Sequence, residues 1–138
     1  MKKILILGGD GYLGWPTAMH FAVKGFKVTV ADNYYRRKIA EQTNSNPLIA
    51  TPNLTHRANL FQKYFNSNIE VCIGDLADPE FMFKLMKVIS PDTVIHYAEQ
   101  PSAPYSMKGF REARETFTNN LDVTFNCIWA VKEYCPDA

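Results

Sequence analysis

Glycines recur at every third position near the amino terminus of the 138-residue sequence, at Gly8, Gly11 and Gly14. A glycine-rich turn between a buried strand and a helix lets main-chain N–H groups approach a pyrophosphate without a Cβ in the way. The first turn of the helix adds unpaired donors and a partial positive charge. The spacing therefore predicts a site for the diphosphate of a dinucleotide, with Gly14 permitting close packing of the helix on the strand.

A carboxylate follows at the separation expected for a group that binds the adenosine ribose. Asp32 lies eighteen positions after Gly14, at the end of the next predicted strand. An aspartate there accepts hydrogen bonds from both ribose hydroxyls and repels a 2′-phosphate, which favours NAD over NADP. Arg36 and Arg37 leave NADP open, because an arginine at this point can receive that phosphate. The alternative is that Asp32 only caps or closes a turn.

Other polar residues follow the third and fourth predicted strands or lie in the last helix. Asp75 is either a binding carboxylate or a turn aspartate. A histidine such as His96, at the end of a buried strand, is more often a core residue than a catalyst, and Glu99 fits a simple loop carboxylate. Asn119 and Asn120 lie inside a predicted helix, where asparagine is a poor helix former and needs a compensating partner. The two asparagines are therefore harder to explain as ordinary helix residues than the other candidates.

The elements that must hold these residues alternate between strands and helices. Short apolar runs predict strands, and apolar residues at helical spacing predict helices between them. This alternation is typical of parallel β-α-β units with right-handed crossovers. It predicts an α/β fold: the amino-terminal half of a Rossmann-type sheet, with four strands in the order 3-2-1-4 and flanking helices. The predicted strands are Lys2–Leu7, Lys27–Ala31, Ile69–Ile73 and Thr93–Tyr97, and the main helices are Tyr12–Val23, Pro79–Ile89 and Phe110–Tyr134.

Two regions carry more local predictions. Asp78 is expected to cap the helix that begins at Pro79, whose inward face is predicted to comprise Phe81, Leu85, Val88 and Ile89. Between residues 33 and 68 the pattern weakens: the stretch 43–53 is polar and rich in proline, and 55–65 is expected to form one short amphipathic helix. An excursion of this length between two strands is more often functional or flexible than a simple connector.

Composition excludes several classes of protein. Hydrophobic residues make up 46% and charged residues 21% of the sequence, which is typical of a globular domain. A formal net charge of +1 argues against nucleic acid or an anionic membrane as the main partner. Three cysteines without close spacing are expected to be reduced structural thiols rather than metal ligands. The apolar run at the amino terminus stops at Gly8, too soon for a signal peptide or a membrane span, so we expect a cytoplasmic protein.

Three stretches resemble a known family. The glycine loop is similar to that of extended short-chain dehydrogenases/reductases, most of which modify nucleotide sugars, and within that superfamily the chain resembles the UDP-sulfoquinovose synthases. The segment at 99–107 is the most specific of the three, and the segment 38–65 matches least well. The stretches are Gly8-Gly9-Asp10-Gly11-Tyr12-x-Gly14-Trp15 with Thr17-Ala18, Asp32-Asn33-x-x-Arg36-Arg37, and Glu99-Gln100-x-Ser102-Ala103-Pro104-Tyr105-Ser106-Met107.

The resemblance implies a role for each cofactor-binding residue. Main-chain groups would line the diphosphate, side chains after the second strand would hold the adenosine ribose, Asp75 would accept from the adenine amino group, and the fourth strand would pass behind NAD. The long helix would add an asparagine near the cofactor. The implied cofactor residues are Gly8, Gly11, Tyr12, Leu13, Gly14, Asp32, Asn33, Arg36, Asp75, Leu76, Tyr97, Ala98 and Asn120.

The resemblance also implies a substrate loop, in which Gln100, Ser102 and Tyr105 lie where UDP-glucose and sulfite approach the nicotinamide. Two positions depart from the family pattern. Pro101 stands where members carry arginine, so one cation for an anionic substrate is missing. Leu13 stands where cysteine is common, which matters less because that position offers its main chain.

The expected catalytic pair of this superfamily, Tyr-x-x-x-Lys, matches the sequence only at Tyr34 and Lys38. That pair directly follows the second strand, at the adenosine end of the cofactor, so we interpret it as coincidence and expect no catalytic residue in this chain. Residues 1–138 are thus predicted to be a partial NAD-binding domain, inactive alone, of an enzyme that makes UDP-sulfoquinovose from UDP-glucose and sulfite. The alternatives are a UDP-sugar 4-epimerase or 4,6-dehydratase, and a non-catalytic NAD-binding module. The resemblance further implies a homodimer through the long helix, unless the remainder of the polypeptide covers it.

Overall fold

The computed structural model describes residues 1–45 and 47–138. Four parallel strands form one sheet in the order β3-β2-β1-β4, which confirms the predicted order. Helices connect the strands as expected for β-α-β units. The elements are β1 (Lys3–Leu7), α1 (Gly14–Val23), β2 (Lys27–Asp32), α2 (Tyr35–Gln42), α3 (Leu54–Phe65), β3 (Ile69–Ile73), α4 (Pro79–Ile89), β4 (Thr93–His96), α5 (Ala103–Ser106) and α6 (Phe110–Tyr134).

Strand β1 lies in the middle of the sheet and contributes to a separate core on each face. Leu5 and Leu7 pack with α4 and α6, whereas Ile4 and Ile6 pack with α1 and α3. This division follows from the alternation of side chains along a strand. Burial on both faces explains why the segment is continuously apolar.

The predicted bounds of β3, α4 and α6 are confirmed, and Asp78 caps α4 by accepting a hydrogen bond from the Glu80 N–H at 3.0 Å. The predicted inward face of α4 is wrong at one position, since Val88 is 70% exposed. The buried side of the helix centres on Met82 and Ile89, and a residue next to Ile89 points about 100° away from it.

Two helices were not predicted. Helix α2 buries a single residue, Ile39, so it carries almost no apolar periodicity. It begins after Tyr34, whose φ of 58° turns the chain sharply at the end of β2. Helix α5 is one turn, capped by the Ser102 hydroxyl, which accepts from the Tyr105 N–H. Within the described ranges, no helix combines the length and the apolar character needed to cross a membrane.

Candidate functional site

A cleft of about 460 Å³ opens where the four strands end. In an open parallel sheet, ligands bind in the crevice outside the carboxyl ends of the strands. All but one of the residues predicted to contact the cofactor line this cleft. They are Gly8, Gly11, Tyr12, Leu13, Gly14, Asp32, Asn33, Arg36, Asp75, Leu76, Tyr97 and Ala98.

The glycine loop brings bare main chain to the floor of the cleft. Gly8 adopts a φ of 88°, and a Cβ there would lie 2.7 Å from the carbonyl oxygen of Tyr97. A Cβ on Gly14 would lie 2.0 Å from the carbonyl oxygen of Gly8, so α1 sits directly against the end of β1. In the part of the chain that the structure describes, no side chain caps α1 at Leu13, and its first turn holds no acidic residue. These features fit an anion bound at the start of α1.

Asp32 is fixed by two main-chain donors. Its Oδ1 accepts from the Tyr34 N–H at 2.7 Å, and its Oδ2 accepts from the Asp10 N–H at 2.9 Å. Burial raises the pKa of Asp32 above its ordinary value, and these hydrogen bonds oppose that rise. A carboxylate oxygen accepts more than one hydrogen bond, so both oxygens can still accept from vicinal hydroxyls.

The ends of β2 and β3 are joined beside Asp32. The Asn33 amide donates to Asp75 Oδ1 at 3.1 Å, and the Ala77 N–H donates to the same oxygen at 3.0 Å. Leu76 is buried next to them. Asn33 and Asp75 therefore offer polar groups beside the apolar side chain of Leu76, an arrangement suited to binding a flat heterocycle.

His96 and Glu99 line the cleft, where the sequence favoured a core histidine and a simple loop carboxylate. His96 Nδ1 accepts from the Ala98 N–H at 3.1 Å, and His96 Nε2 lies 3.4 Å from Glu99 Oε1. The Thr124 hydroxyl donates to the same Glu99 oxygen at 2.9 Å. Burial lowers the pKa of His96 although Glu99 opposes this, which favours the neutral imidazole at pH 7. The hydrogen bond from the Ala98 N–H to Nδ1 favours the tautomer with the proton on Nε2.

The residue predicted for the cofactor that does not line the cleft is Asn120. Its Oδ1 accepts from the Gln100 N–H at 2.8 Å and its Nδ2 donates to the Gln100 carbonyl at 3.2 Å. This main-chain contact is the compensating partner expected for an asparagine in a helix. The neighbouring Asn119 donates to Asn120 Oδ1 and itself lines the cleft. Asn120 thus holds the start of the loop that follows β4.

Of the predicted substrate loop, Gln100 lines the cleft, whereas Ser102 and Tyr105 are not among its lining residues. Tyr105 is buried, and its hydroxyl donates to Glu115 Oε2 at 2.7 Å. The Tyr35 hydroxyl donates to Glu115 Oε1 at 2.5 Å. The hydrogen bonds from Tyr35 and then Tyr105 lower the pKa of Glu115. These two hydrogen bonds connect the loop that follows β4 to α2 and α6.

Several residues that line the cleft are not among those predicted to bind the cofactor. In the sequence, Asn119 stands out only by its place in a helix, Asp10 only as part of the glycine loop, and Pro101 only as a departure from the family pattern. No local pattern marks Tyr35 or Val123. Only their position beside the ends of the strands identifies them. The further lining residues are Asp10, Tyr35, Pro101, Asn119 and Val123.

The surroundings of Tyr34 and Lys38 agree with the interpretation that their match to Tyr-x-x-x-Lys is a coincidence. The Tyr34 hydroxyl accepts from the Leu54 N–H at 3.0 Å, and Lys38 is exposed. Neither residue is among those that line the cleft. The pair is therefore not placed to act on a molecule bound there.

Comparisons with known proteins agree with this geometry. The family model described as "NAD dependent epimerase/dehydratase family" matches residues 4–137. The chain is 38% identical over 133 residues to the chloroplastic UDP-sulfoquinovose synthase of Spinacia oleracea, covering 96% of this chain and 28% of that protein. It is 36% identical to the UDP-sulfoquinovose synthase of Sulfolobus acidocaldarius, covering 97% of this chain and 34% of that protein. The chain thus spans about a third of the length of these relatives.

Solved structures show the same fold. The UDP-glucose 4-epimerase of Bifidobacterium longum, solved with NAD+ and UDP, superposes with a TM-score of 0.72 at 20% identity, covering 96% of this chain and 34% of that one. A UDP-glucose 4-epimerase of Stenotrophomonas maltophila gives a TM-score of 0.73 at 17% identity, covering 97% and 34%.

Proposed function

The chain belongs to the NAD dependent epimerase/dehydratase family, and we propose that it is the NAD-binding part of an enzyme that modifies a nucleotide sugar. The observation that carries this proposal is the convergence of the glycine loop, Asp32 and Asp75 on one cleft at the ends of the strands. Residues 1–138 would form a partial Rossmann domain, with the catalytic tyrosine and lysine supplied by sequence outside it.

The residues of the cleft fit NAD in their chemistry. A Cβ at Gly8 or Gly14 would meet main-chain atoms, so the loop is built for close packing and bare N–H groups, which would hold the diphosphate. Asp32 would accept from the ribose hydroxyls, and Asp75 would accept from the adenine amino group. Bound NAD supplies a two-electron oxidant for a sugar carbon that carries a hydroxyl.

This chain's residues beyond the glycine loop would position the opposite end of the ligand. The Asn120 side chain fixes the main chain of Gln100 on both sides, and Gln100 is buried at the edge of the cleft. A loop held in this way needs no ordering when a substrate arrives, which reduces the entropic cost of binding.

The finer proposal is that the complete enzyme is a UDP-sulfoquinovose synthase that takes UDP-glucose and sulfite. The support is the segment 99–107 together with relatives of that name at 36% and 38% identity. Pro101 lines the cleft where the family pattern has arginine, which favours a 4-epimerase or 4,6-dehydratase as the second candidate. Such an enzyme needs no sulfite site.

Incubation of the full-length protein with UDP-glucose and labelled sulfite separates these candidates. Label in a UDP-sugar supports the synthase, whereas UDP-galactose or a 4-keto-6-deoxy sugar supports the second candidate. A full-length protein that binds NAD but converts no nucleotide sugar would be a non-catalytic module.

Calorimetry with NAD tests the binding proposal itself. Asp32→Asn should weaken binding at least about tenfold, because a charge-assisted hydrogen bond is worth roughly 1.5–3 kcal/mol. Asp78→Asn is the matched control, since Asp78 caps α4 outside the cleft and asparagine also caps helices. Equal affinity in the two variants would contradict the proposal.

We further propose that α6 pairs with α6 of a second copy. Large apolar side chains spaced along one side of the helix are exposed, namely Phe117, Leu121, Phe125, Ile128 and Trp129. An apolar stripe of this extent is typical of a surface that another helix covers. Sedimentation of the full-length protein with Leu121→Glu tests this, since the variant should be monomeric. A dimer that persists in the variant would mean that another surface joins the copies.

A further inference from the structure

The carboxylate of Asp10, in the middle of the glycine loop, is the centre of a partly buried charge cluster. Its side chain is 9% exposed. Arg37 pairs with it through two hydrogen bonds, Nε to Oδ2 at 2.7 Å and Nη2 to Oδ1 at 2.6 Å. Arg57 donates to Oδ1 as well. A single carboxylate of the loop therefore binds two guanidinium groups, which we call the Asp10 cluster.

Both arginines of the cluster are held in place by other groups. Arg37 also donates to the carbonyls of Thr51 at 2.7 Å and Pro52 at 2.9 Å. The Arg57 guanidinium lies over the ring of Trp15, 4.7 Å from its centroid. These contacts fasten the glycine loop to the stretch that precedes α3.

The Asp10 cluster adjoins the carboxylate that would hold the ribose. The main-chain N–H of Asp10 donates to Asp32 Oδ2 at 2.9 Å, while its side chain binds the arginines. The two aspartates and two arginines of this region sum to zero charge. Without the Asp10 carboxylate, two guanidinium groups would face the single charge of Asp32.

The orientation of Arg37 matters because an arginine at this point of a dinucleotide site can receive a 2′-phosphate. The Asp10 carboxylate stabilises the cation through its hydrogen bonds, and these raise the pKa of Arg37. The Nε and Nη2 of Arg37 form a bidentate pair with the Asp10 carboxylate, and its Nη1 donates to the Thr51 carbonyl. The planar edge of Arg37 that would bind a phosphate is therefore occupied.

We propose that Asp10 determines cofactor specificity: by binding Arg37 and Arg57, it withholds both cations from the ribose 2′ position and keeps the cleft selective for NAD over NADP. This rests on the proposed function. Asp10 acts through its neighbours and is a positioning residue. Asp32 repels a 2′-phosphate directly, and Asp10 keeps Arg37 and Arg57 from offsetting that repulsion, whereas Arg36 lines the cleft without a hydrogen bond to Asp10.

The test compares the dissociation constants of NAD and NADP by calorimetry on the full-length protein. Asp10→Asn keeps the shape of the side chain and removes its charge. The preference for NAD over NADP should fall by about tenfold, equivalent to about 1.4 kcal/mol. Asp10→Glu, which keeps the charge, should retain more of the preference.

Two double variants identify the cation that receives the phosphate. In Asp10→Asn with Arg37→Gln, the preference for NAD should return toward that of the wild type. In Asp10→Asn with Arg36→Gln, the preference should stay low, because Arg36 lies at the cleft outside the Asp10 cluster. If near-ultraviolet circular dichroism shows that Asp10→Asn does not fold, Asp10→Ser gives the same comparison with a residue favoured in turns.

The ratio of the two constants separates this role from a purely structural one. A loosened loop would weaken NAD and NADP in equal proportion, and an unchanged ratio in the charge-removing variants overturns the proposal. A ratio that Arg36→Gln restores and Arg37→Gln does not also overturns it. A wild-type protein that binds neither nucleotide overturns the proposed function, and this inference with it.

Discussion

Gly14→Ala tests the packing of α1 on β1, on which the diphosphate site depends. The new Cβ would lie 2.0 Å from the Gly8 carbonyl oxygen and 2.9 Å from its carbonyl carbon. Main-chain atoms cannot rotate away, so the start of α1 must move by about 1 Å or more to reach an ordinary contact distance. Ala18 and Ala22, which α1 buries against the sheet, would move with it.

The expected cost combines two opposing effects. Overpacking of this kind costs about 3 kcal/mol, and replacing glycine by alanine at a helical position returns up to about 1 kcal/mol. We therefore expect the free energy of unfolding to fall by about 2 kcal/mol, which lowers the Tm of a unit of this size by about 7 °C. NAD binding should be lost, because the N–H groups of the loop move with the helix.

Urea unfolding and NAD calorimetry measure these effects side by side. Gly109→Ala is the matched control, since its Cβ would meet only a flexible side-chain oxygen of Glu112 at 3.2 Å and its φ of 177° is extended. That variant should change stability by less than about 0.5 kcal/mol. If Gly14→Ala matched it in both unfolding and NAD affinity, the packing argument would be refuted.

Three more predictions follow from contacts in the same structure. Met86→Ala should lower the free energy of unfolding by about 2–5 kcal/mol in urea titrations, because Met86 is fully buried. Val88→Ala should change it little, because Val88 is 70% exposed. Equal losses of stability in the two variants would contradict the placement of α4. Folding lowers the pKa of His96 from its ordinary 6.5, so the wild type should lose stability as pH falls below about 6.5. His96→Gln should reduce this loss in unfolding measurements. An identical pH profile in the two proteins would contradict the lowered pKa. The pKa of Glu115 is also lowered, so its contribution to stability is present at neutral pH and is lost as pH falls below 4.5, its ordinary pKa. Glu115→Gln should therefore reduce the loss of stability in acid, as measured by unfolding. An unchanged loss would show that the Tyr35 and Tyr105 hydrogen bonds do not stabilise the fold.

The architecture and much of the cleft follow from local patterns. The strands are short apolar runs, the glycines have a fixed spacing, and Asp32 ends a strand, so each can be recognised within a few residues of itself. Val88 shows what local spacing does not decide. The residues 81, 85, 88 and 89 and the residues 82, 85, 86 and 89 both satisfy helical spacing, and only the position of the sheet decides which set is buried.

Apolar periodicity and glycine spacing along the chain were enough to predict a parallel sheet with a dinucleotide cleft at the carboxyl ends of its strands. Buried strands and tight turns constrain neighbouring residues directly, so they leave local patterns in the sequence. The contacts that tune the cleft required the folded chain. Asp10 and Arg57 are 47 positions apart, and Tyr35 and Glu115 are 80 apart. Such pairs depend on which helices meet, and polar residues at that separation leave no periodic trace in the sequence. The folded structure alone therefore shows that Arg37, which together with Arg36 left the choice between NAD and NADP open, is bound by Asp10.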